Sequence, residues 1–146
     1  MEYSLRKANQ DDVKFLLKLR RMTMDSYLAN HGLDISDAEH LSRIQYKFEA
    51  ARIVQVDTQN MGLFKAKYLP EKLQWYIFQI QILPSYQGQG IGRGLITNLC
   101  EKANKENLSV GLSVLKSNPA KKLYDALGFR VVAENSAEYD MVYDAQ

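Results

Sequence analysis

Gln87-Gly88-Gln89-Gly90-Ile91-Gly92 separates two segments of different periodicity. Ahead of it, Trp75-Tyr76-Ile77-Phe78-Gln79-Ile80-Gln81-Ile82-Leu83 is rich in aromatic and β-branched residues and ends at Pro84, which predicts a strand over 73–83. Behind it, Ile91, Leu95, Ile96, Leu99 and Ala103 fall on one face of a helix over 91–105. Arg93, Asn98, Glu101, Lys102 and Lys105 fall on the other. A strand, a glycine turn and a helix start together form a physical device for holding phosphate. The first turn of a helix offers backbone N–H groups without partners and the positive end of the macrodipole. Glycines at 88, 90, 92 and 94 let the chain turn tightly and bring those groups against an anion, because no Cβ stands between.

Two familiar phosphate loops do not match. A dinucleotide fingerprint needs Gly-x-Gly-x-x-Gly, but Gly88-x-Gly90 leads to Arg93 and Gly92-x-Gly94 leads to Thr97. A nucleoside-triphosphate loop needs a Gly-Lys-Ser/Thr ending, and that tripeptide does not occur.

The spacing that fits is Gln/Arg-x-x-Gly-x-Gly/Ala. Ile82-Leu83-Pro84 followed by Gln87–Gly92 resembles the coenzyme A pyrophosphate loop of the GNAT superfamily of N-acetyltransferases. A second run, Asn118-Pro119-Ala120-Lys121-Lys122-Leu123-Tyr124 and then Leu127-Gly128-Phe129, is similar to that family's Asn-x-x-Ala-x-x-Leu-Tyr-x-x-x-Gly-Phe segment. The chain is one residue short between Asn118 and Tyr124, so counting back from Tyr124 puts Ser117 at the Asn position. The resemblance is specific over 75–130; the first fifty residues match only in general layout.

The resemblance implies an α/β fold of the mixed α+β kind, β-α-α-β-β-β-α-β-α-β-β, with helices on both faces of a central mixed sheet. It implies one N-acetyltransferase domain over 1–146. The implied reaction moves an acetyl group from acetyl-CoA to a primary amine by direct attack in a ternary complex, with no metal. Backbone N–H groups of Gln87, Gly88, Gln89, Gly90, Ile91 and Gly92 would hold the pyrophosphate, with side-chain contacts from Gln87 and Arg93. In the family the strand before the loop parts from its neighbour, and its backbone pairs with the pantetheine arm; by position this falls to Ile80, Gln81 and Ile82. The Ile82 N–H would also face the carbonyl oxygen as it gains charge. Asn118 is an expected coenzyme contact and, on its own residue type, equally a helix N-cap.

Tyr124 is the residue expected to serve the departing thiolate. A phenol's reference pKa of about 10 exceeds a thiol's ~8.5, so full proton transfer is uphill by roughly 2 kcal/mol. The hydroxyl must then act as a hydrogen-bond donor whose proton moves as charge builds on sulfur. Packing against Phe129 is the plainer role for the same ring, and tyrosine can do both.

A base is harder to find. An amine with a pKa near 10 is protonated at pH 7 and cannot attack. The strands flanking the loop carry Gln79, Gln81, Ser109 and Ser113, none of them a base at neutral pH. Asp25, His31 and Asp34 lie in the segment that walls the acceptor site in relatives, and none is assigned the role. A second reading, a non-catalytic acyl-CoA-binding sensor or interaction module on the same fold, therefore stands beside the enzyme.

Composition agrees with one domain holding one sizeable core: the chain has 146 residues. A net charge of +2 without a lysine or arginine block argues against nucleic acid and anionic membranes as partners. The partners expected instead are a small-molecule or peptide amine, and both a monomer and a homodimer stay open. The single Cys100 cannot form an internal disulfide and reads as a small core residue. With no signal-peptide pattern and no apolar run near ~20 residues, a cytoplasmic protein is expected.

Elsewhere, Asn9 is expected to cap a first helix and Ser36 to open a second as a capping box with Glu39. Met22–Ile35 reads as irregular. Strands are expected over 52–57 and 62–68, around a Thr58-Gln59-Asn60 turn. A strand over 108–115, a helix over 118–127 and strands over 130–134 and 138–143 complete the chain.

Overall fold

The computed structural model describes residues 2–146. Its elements are β1 (Ser4–Lys7), α1 (Val13–Asn30), α2 (Asp37–Gln45), β2 (Ala51–Val56), β3 (Gln59–Leu69), β4 (Gln74–Ile82), α3 (Ile91–Glu106), β5 (Ser109–Leu115), α4 (Lys121–Ala126), β6 (Arg130–Glu134) and β7 (Glu138–Tyr143). The strands form one sheet in the order β1-β2-β3-β4-β5-β7-β6. β4 and β5 pair in parallel, while β1–β2, β2–β3, β5–β7 and β6–β7 are antiparallel. The mixed sheet and the order of elements are those expected from the sequence.

Contacts gather the chain into two compact units: residues up to Lys65 with Gln79–Gly92, and Ala66–Phe78 with Arg93–Gln146. In the first unit Leu16, Leu19, Ile44, Ile53 and Leu63 form a buried cluster, each burial worth roughly 1.5–3 kcal/mol. Asn9 opens the 3-10 turn into α1 as a full capping box with Asp12, whose carboxylate also takes two bonds from Arg6 at 2.7 and 2.9 Å. The Arg6 bonds draw the Asp12 pKa below its ordinary value. Ser36 completes only half of its expected box: its Oγ accepts from Glu39 N–H, but the Glu39 carboxylate accepts from Arg43 instead.

The structure corrects two expectations. Met22–Ile35 is not irregular, because α1 continues to Asn30. The Thr23 hydroxyl donates to Leu19 O, the Arg21–Asp25 pair spans one turn, and Leu28 is buried, so local and tertiary contacts carry a stretch with a poor apolar stripe. Gly32, in the left-handed region at φ +67, then ends it, and Leu33 N–H reaches back to Leu28 O. The β2–β3 turn is Asp57-Thr58, one residue earlier than expected, with φ of 50 and 66. Two successive positive φ values make the two-residue hairpin turn whose twist suits the flanking strands.

Close approach explains one glycine. A Cβ on Gly62 of β3 would collide with the Gln81 carbonyl oxygen and lie 2.8 Å from Ile82 Cδ1 of β4. Next to it, Leu83 N–H donates to Met61 O at 2.8 Å. Gly62→Ala is therefore expected to overpack this contact and lower stability by about 1–3 kcal/mol. Urea denaturation reads this directly, and an unchanged midpoint would show that the backbone yields freely at β4.

In the second unit β4 pairs with β5 from Gln74↔Ser109 to Ile77↔Leu112, and the ladder stops there although β4 continues to Ile82 and β5 to Leu115. Strict alternation along β5 and β7 sorts side chains onto two faces. Val110, Leu112 and Val114 share one with their partners Tyr143, Met141 and Tyr139, and Asn104 of α3 donates to the Tyr143 hydroxyl there at 2.9 Å. Ser113 and its partner Asp140 lie on the other.

Candidate active site

The first unit carries the glycine loop. Pro84–Tyr86 makes a 3-10 turn, Gln87 follows in extended conformation, and α3 starts at Ile91. Gly88 and Gly90 adopt φ of +76 and +86, values that L side chains rarely take. A Cβ at Gly88, Gly90 or Gly92 would meet no protein atom within 4 Å. The loop is thus an open cradle, and the space before it is not filled by the protein. Among the described residues the N–H groups of Gly88, Gln89 and Gly90 bond no backbone carbonyl of the turn. These groups and the helix start fit a pyrophosphate.

Gln87 is placed differently from the expectation. Its backbone N–H donates to Pro84 O at 3.2 Å, and its side-chain amide donates to Ile82 O at 2.9 Å. The first bond closes the 3-10 turn and the second fastens the loop to the end of β4, so the unspent backbone N–H groups begin at Gly88. Arg93 is exposed on α3. Of the β4 residues expected along the pantetheine arm, Ile80 is half-buried while Gln81 and Ile82 are buried. Gln79, on the same strand, donates to Arg43 O, and its Oε1 is the one sealed side-chain polar atom without a partner among the described residues.

The same unit holds a buried polar chain that the sequence did not announce. His40, fully buried, accepts from Arg20 Nε at its Nδ1 and meets Asp25 Oδ1 at its Nε2, at 2.9 and 2.6 Å. Accepting at Nδ1 puts the ring proton on Nε2, so His40 is a neutral imidazole donating to Asp25. Both nitrogens are spent, and His40 has no site left to take a proton from a substrate. Burial pulls the Arg20 guanidinium down to about 10. Lys65, also buried, donates to the carbonyls of Arg43, Ile44 and Tyr46 at the end of α2, and burial lowers it to about 8. The signal for His40 was its spacing of four from Ile44, which puts it on the buried face of α2. Asp25 also pairs with Arg21, and Asp34 accepts from Ser36 N–H ahead of α2. Both carboxylates hold the α1–α2 segment in shape.

The second unit carries Tyr124 and Asn118. Tyr124 lies within α4, 6% exposed, its ring 6.0 Å from Phe129, which sits 5.6 Å from Tyr143. Burial pushes the phenol up to about 12. Its hydroxyl has no hydrogen bond to the described residues, yet it is not among the sealed unpartnered atoms, so it retains contact with solvent. The ring packs as a core residue while the hydroxyl remains an unspent donor. Asn118 does not cap α4, which begins at Lys121; its Oδ1 instead accepts from Ala120 N–H at 3.0 Å, shaping the turn before the helix. Cys100 is buried in α3 with its thiol pushed up to about 11 by burial, as suits a core residue rather than a nucleophile.

Among the described residues no helix is long and apolar enough to cross a membrane. A curated relative, the ribosomal protein bS18-alanine N-acetyltransferase of Haemophilus influenzae, is 39% identical over 57 residues, a match spanning 38% of this chain and 39% of the relative. Among solved structures, an acetyltransferase from Thermus thermophilus superposes with a TM-score of 0.77 at 22% identity, covering 99% of this chain and 97% of that one. PaiA N-acetyltransferase from Thermoplasma acidophilum, solved in complex with coenzyme A, gives a TM-score of 0.73 at 18% identity, covering 99% of both chains. At such identities these two speak to the fold. The family model for the acetyltransferase (GNAT) family matches residues 16–129, which take in the glycine loop, β5 and Tyr124. With that match over most of its length, and with the fold and loop described above, the chain belongs to the GNAT acetyltransferase family.

Proposed function

We propose that residues 1–146 form one N-acetyltransferase domain that moves the acetyl group of acetyl-CoA to a primary amine by direct attack in a ternary complex. The observation that carries this reading is the open glycine cradle at the start of α3, with N–H groups of Gly88–Gly90 unspent and no Cβ to obstruct an anion. Bound there, acetyl-CoA supplies an activated thioester. Gly88–Gly92 hold the pyrophosphate, Gln87 fastens the loop to β4, and Ile80, Gln81 and Ile82 offer backbone to the pantetheine arm. The ladder that stops at Ile77↔Leu112 supports that use of β4. Tyr124 donates its hydrogen bond to the departing sulfur.

The acceptor we infer is the N-terminal α-amino group of a peptide or protein. The curated relative is an alanine N-acetyltransferase acting on ribosomal protein bS18, alanine's one amine is its α-amine, and acid–base arithmetic points the same way. At pH 7.5 an α-amine of pKa about 7.8 is roughly one-third free base, whereas a lysine of pKa about 10.4 is free to roughly one part in a thousand. A site without a strong base at β4 gains most from the first. With acetyl-CoA and a peptide beginning with alanine, free thiol and acetylated peptide should appear in equal amounts, faster than with a terminally blocked lysine peptide. Binding of acetyl-CoA without turnover on any amine would leave the non-catalytic acyl-CoA sensor as the better reading.

A further inference from the structure

On the face of the β5–β7 ladder away from Tyr143, three side chains form a continuous hydrogen-bonded chain. The Tyr76 hydroxyl of β4 lies 2.9 Å from Ser113 Oγ of β5, and Ser113 Oγ donates to Asp140 Oδ1 of β7 at 2.6 Å. The carboxylate sets the direction of this chain. Ionised Asp140 can only accept, so the single Ser113 proton goes to it. Ser113 must then accept from Tyr76, whose proton points inward. What remains at the open end is a lone pair on Tyr76 Oη. The chain is built to receive a proton. Sheet register holds it in place: Ser113 sits opposite Asp140, and Gly111, opposite Tyr76, has no side chain of its own, so that the Gln74 side chain lies over it on that face. Phe78 braces the other side, its ring centroid 4.8 Å from that of Tyr76.

Tyr124 presents the complementary arrangement. Its hydroxyl is an unspent donor, and its ring lies on the chain of rings that runs through Phe129 to Tyr143, on the opposite face of the same ladder. One phenol can donate a hydrogen bond to a leaving group, and the other can take a proton from an attacking group. Resting on the transferase reading above, we propose that Tyr76, Ser113 and Asp140 form the proton-accepting relay of acetyl transfer, Tyr76 being the member that meets the acceptor nitrogen.

The free amine's lone pair forms the C–N bond to the acetyl carbon as the C=O π pair moves onto oxygen, leaving a positively charged nitrogen and an oxyanion. Its proton passes to Tyr76 Oη, the Tyr76 proton to Ser113 Oγ, and the Ser113 proton to Asp140, which becomes neutral. The oxyanion's pair then re-forms the C=O bond as the C–S bond breaks with its electron pair going to sulfur, and Asp140 loses the proton to water, since it is exposed. Timing follows from reference acidities. A free aspartate, near 3.9, would deprotonate an α-ammonium near 7.8 with an equilibrium about 10⁴-fold against it. Once the nitrogen is bonded to the acetyl carbon it is far more acidic, and the relay becomes competent. Burial raises the Tyr76 pKa, so Tyr76 relays as a neutral phenol throughout.

The test uses the full chain, acetyl-CoA and an alanine-initiated peptide. Ser113→Ala, Asp140→Asn and Tyr76→Phe should each lower kcat by roughly 10- to 100-fold, toward the low end of general-base effects. Affinity for acetyl-CoA and the melting temperature should stay near wild type. Because the residues act as one chain, Ser113→Ala/Asp140→Asn should be no slower than the worse single variant. Added imidazole should raise the rate of Asp140→Ala in proportion to its concentration and leave wild type unmoved, a response that loss of mere structure would not give. Wild-type turnover with full kcat in both Ser113→Ala and Asp140→Asn would overturn the relay and leave the transferase reading standing. Wild type that binds acetyl-CoA but acetylates no amine would overturn both.

Discussion

Gly90→Val is expected to weaken coenzyme A binding at least tenfold while the protein stays folded. At φ +86, Gly90 holds a conformation that is a true outlier for a β-branched residue. Nothing of the protein lies within 4 Å of where its Cβ would stand, so valine meets no neighbour and the whole strain falls on the backbone. That strain, about 1–2 kcal/mol for a left-handed residue, is relieved by turning the loop out of shape and with it the N–H groups of Gly88–Gly90. Gly92→Ala separates this from the approach of the phosphate. Gly92 is not in the left-handed region and lies in the first turn of α3, so alanine there suits the helix and costs the free protein nothing. Any loss of coenzyme A affinity in Gly92→Ala therefore reports a phosphate pressed against the backbone. Calorimetric titration of both variants reads the two effects apart. Full affinity in a folded Gly90→Val protein would remove the loop from the coenzyme site.

What was legible in the sequence was local in origin. The strand, the glycine loop and α3 could be read because Pro84, the glycines and a clean apolar stripe all lie within about thirty residues, and every residue of that stripe is buried. The C-terminal half of α1 was not legible, since Thr23, Asp25 and Ser26 interrupt the pattern and the helix is held by Arg21, Leu28 and a buried histidine on another helix. The site shows the same division. Gly88, Gly90 and Tyr124 were visible as motif positions. Ser113 was visible only as a serine that is no base. Its meaning depends on Asp140 lying opposite it in register, a neighbour 27 positions away that no periodicity reveals. Gln87 shows the reverse: it was read from its motif position, yet its backbone N–H is taken by Pro84 O and its side-chain amide donates to Ile82 O.

Tyr124→Phe should lower kcat by roughly 10- to 10⁴-fold, within and below the range for a positioned general acid, and leave acetyl-CoA affinity nearly unchanged. The substitution removes one hydroxyl and keeps the ring tilted against Phe129, so packing is preserved. Burial sharpens the expectation. With the phenol pushed up to about 12, full transfer to a thiolate of pKa ~8.5 is uphill by roughly 5 kcal/mol, against roughly 2 for a free tyrosine. Tyr124 therefore acts as a hydrogen-bond donor to sulfur in the transition state rather than as a completed acid, and the fall should sit in the lower half of that range. An interaction made only as charge develops lowers kcat without raising KM. The sign of the pH dependence follows as well. A phenol raised to about 12 stays protonated through the whole working range, so Tyr124 contributes no alkaline fall below about pH 11. Because the relay accepts its proton only after the C–N bond forms, the free amine is still the attacking species. The wild-type rate should climb with pH to the acceptor's own pKa, near 8 for an α-amine. Tyr124→Phe should run parallel beneath it on a logarithmic scale. A mutant with full turnover would return Tyr124 to packing alone, and a wild-type profile already flat at pH 7 would show that a stronger base draws the proton before attack.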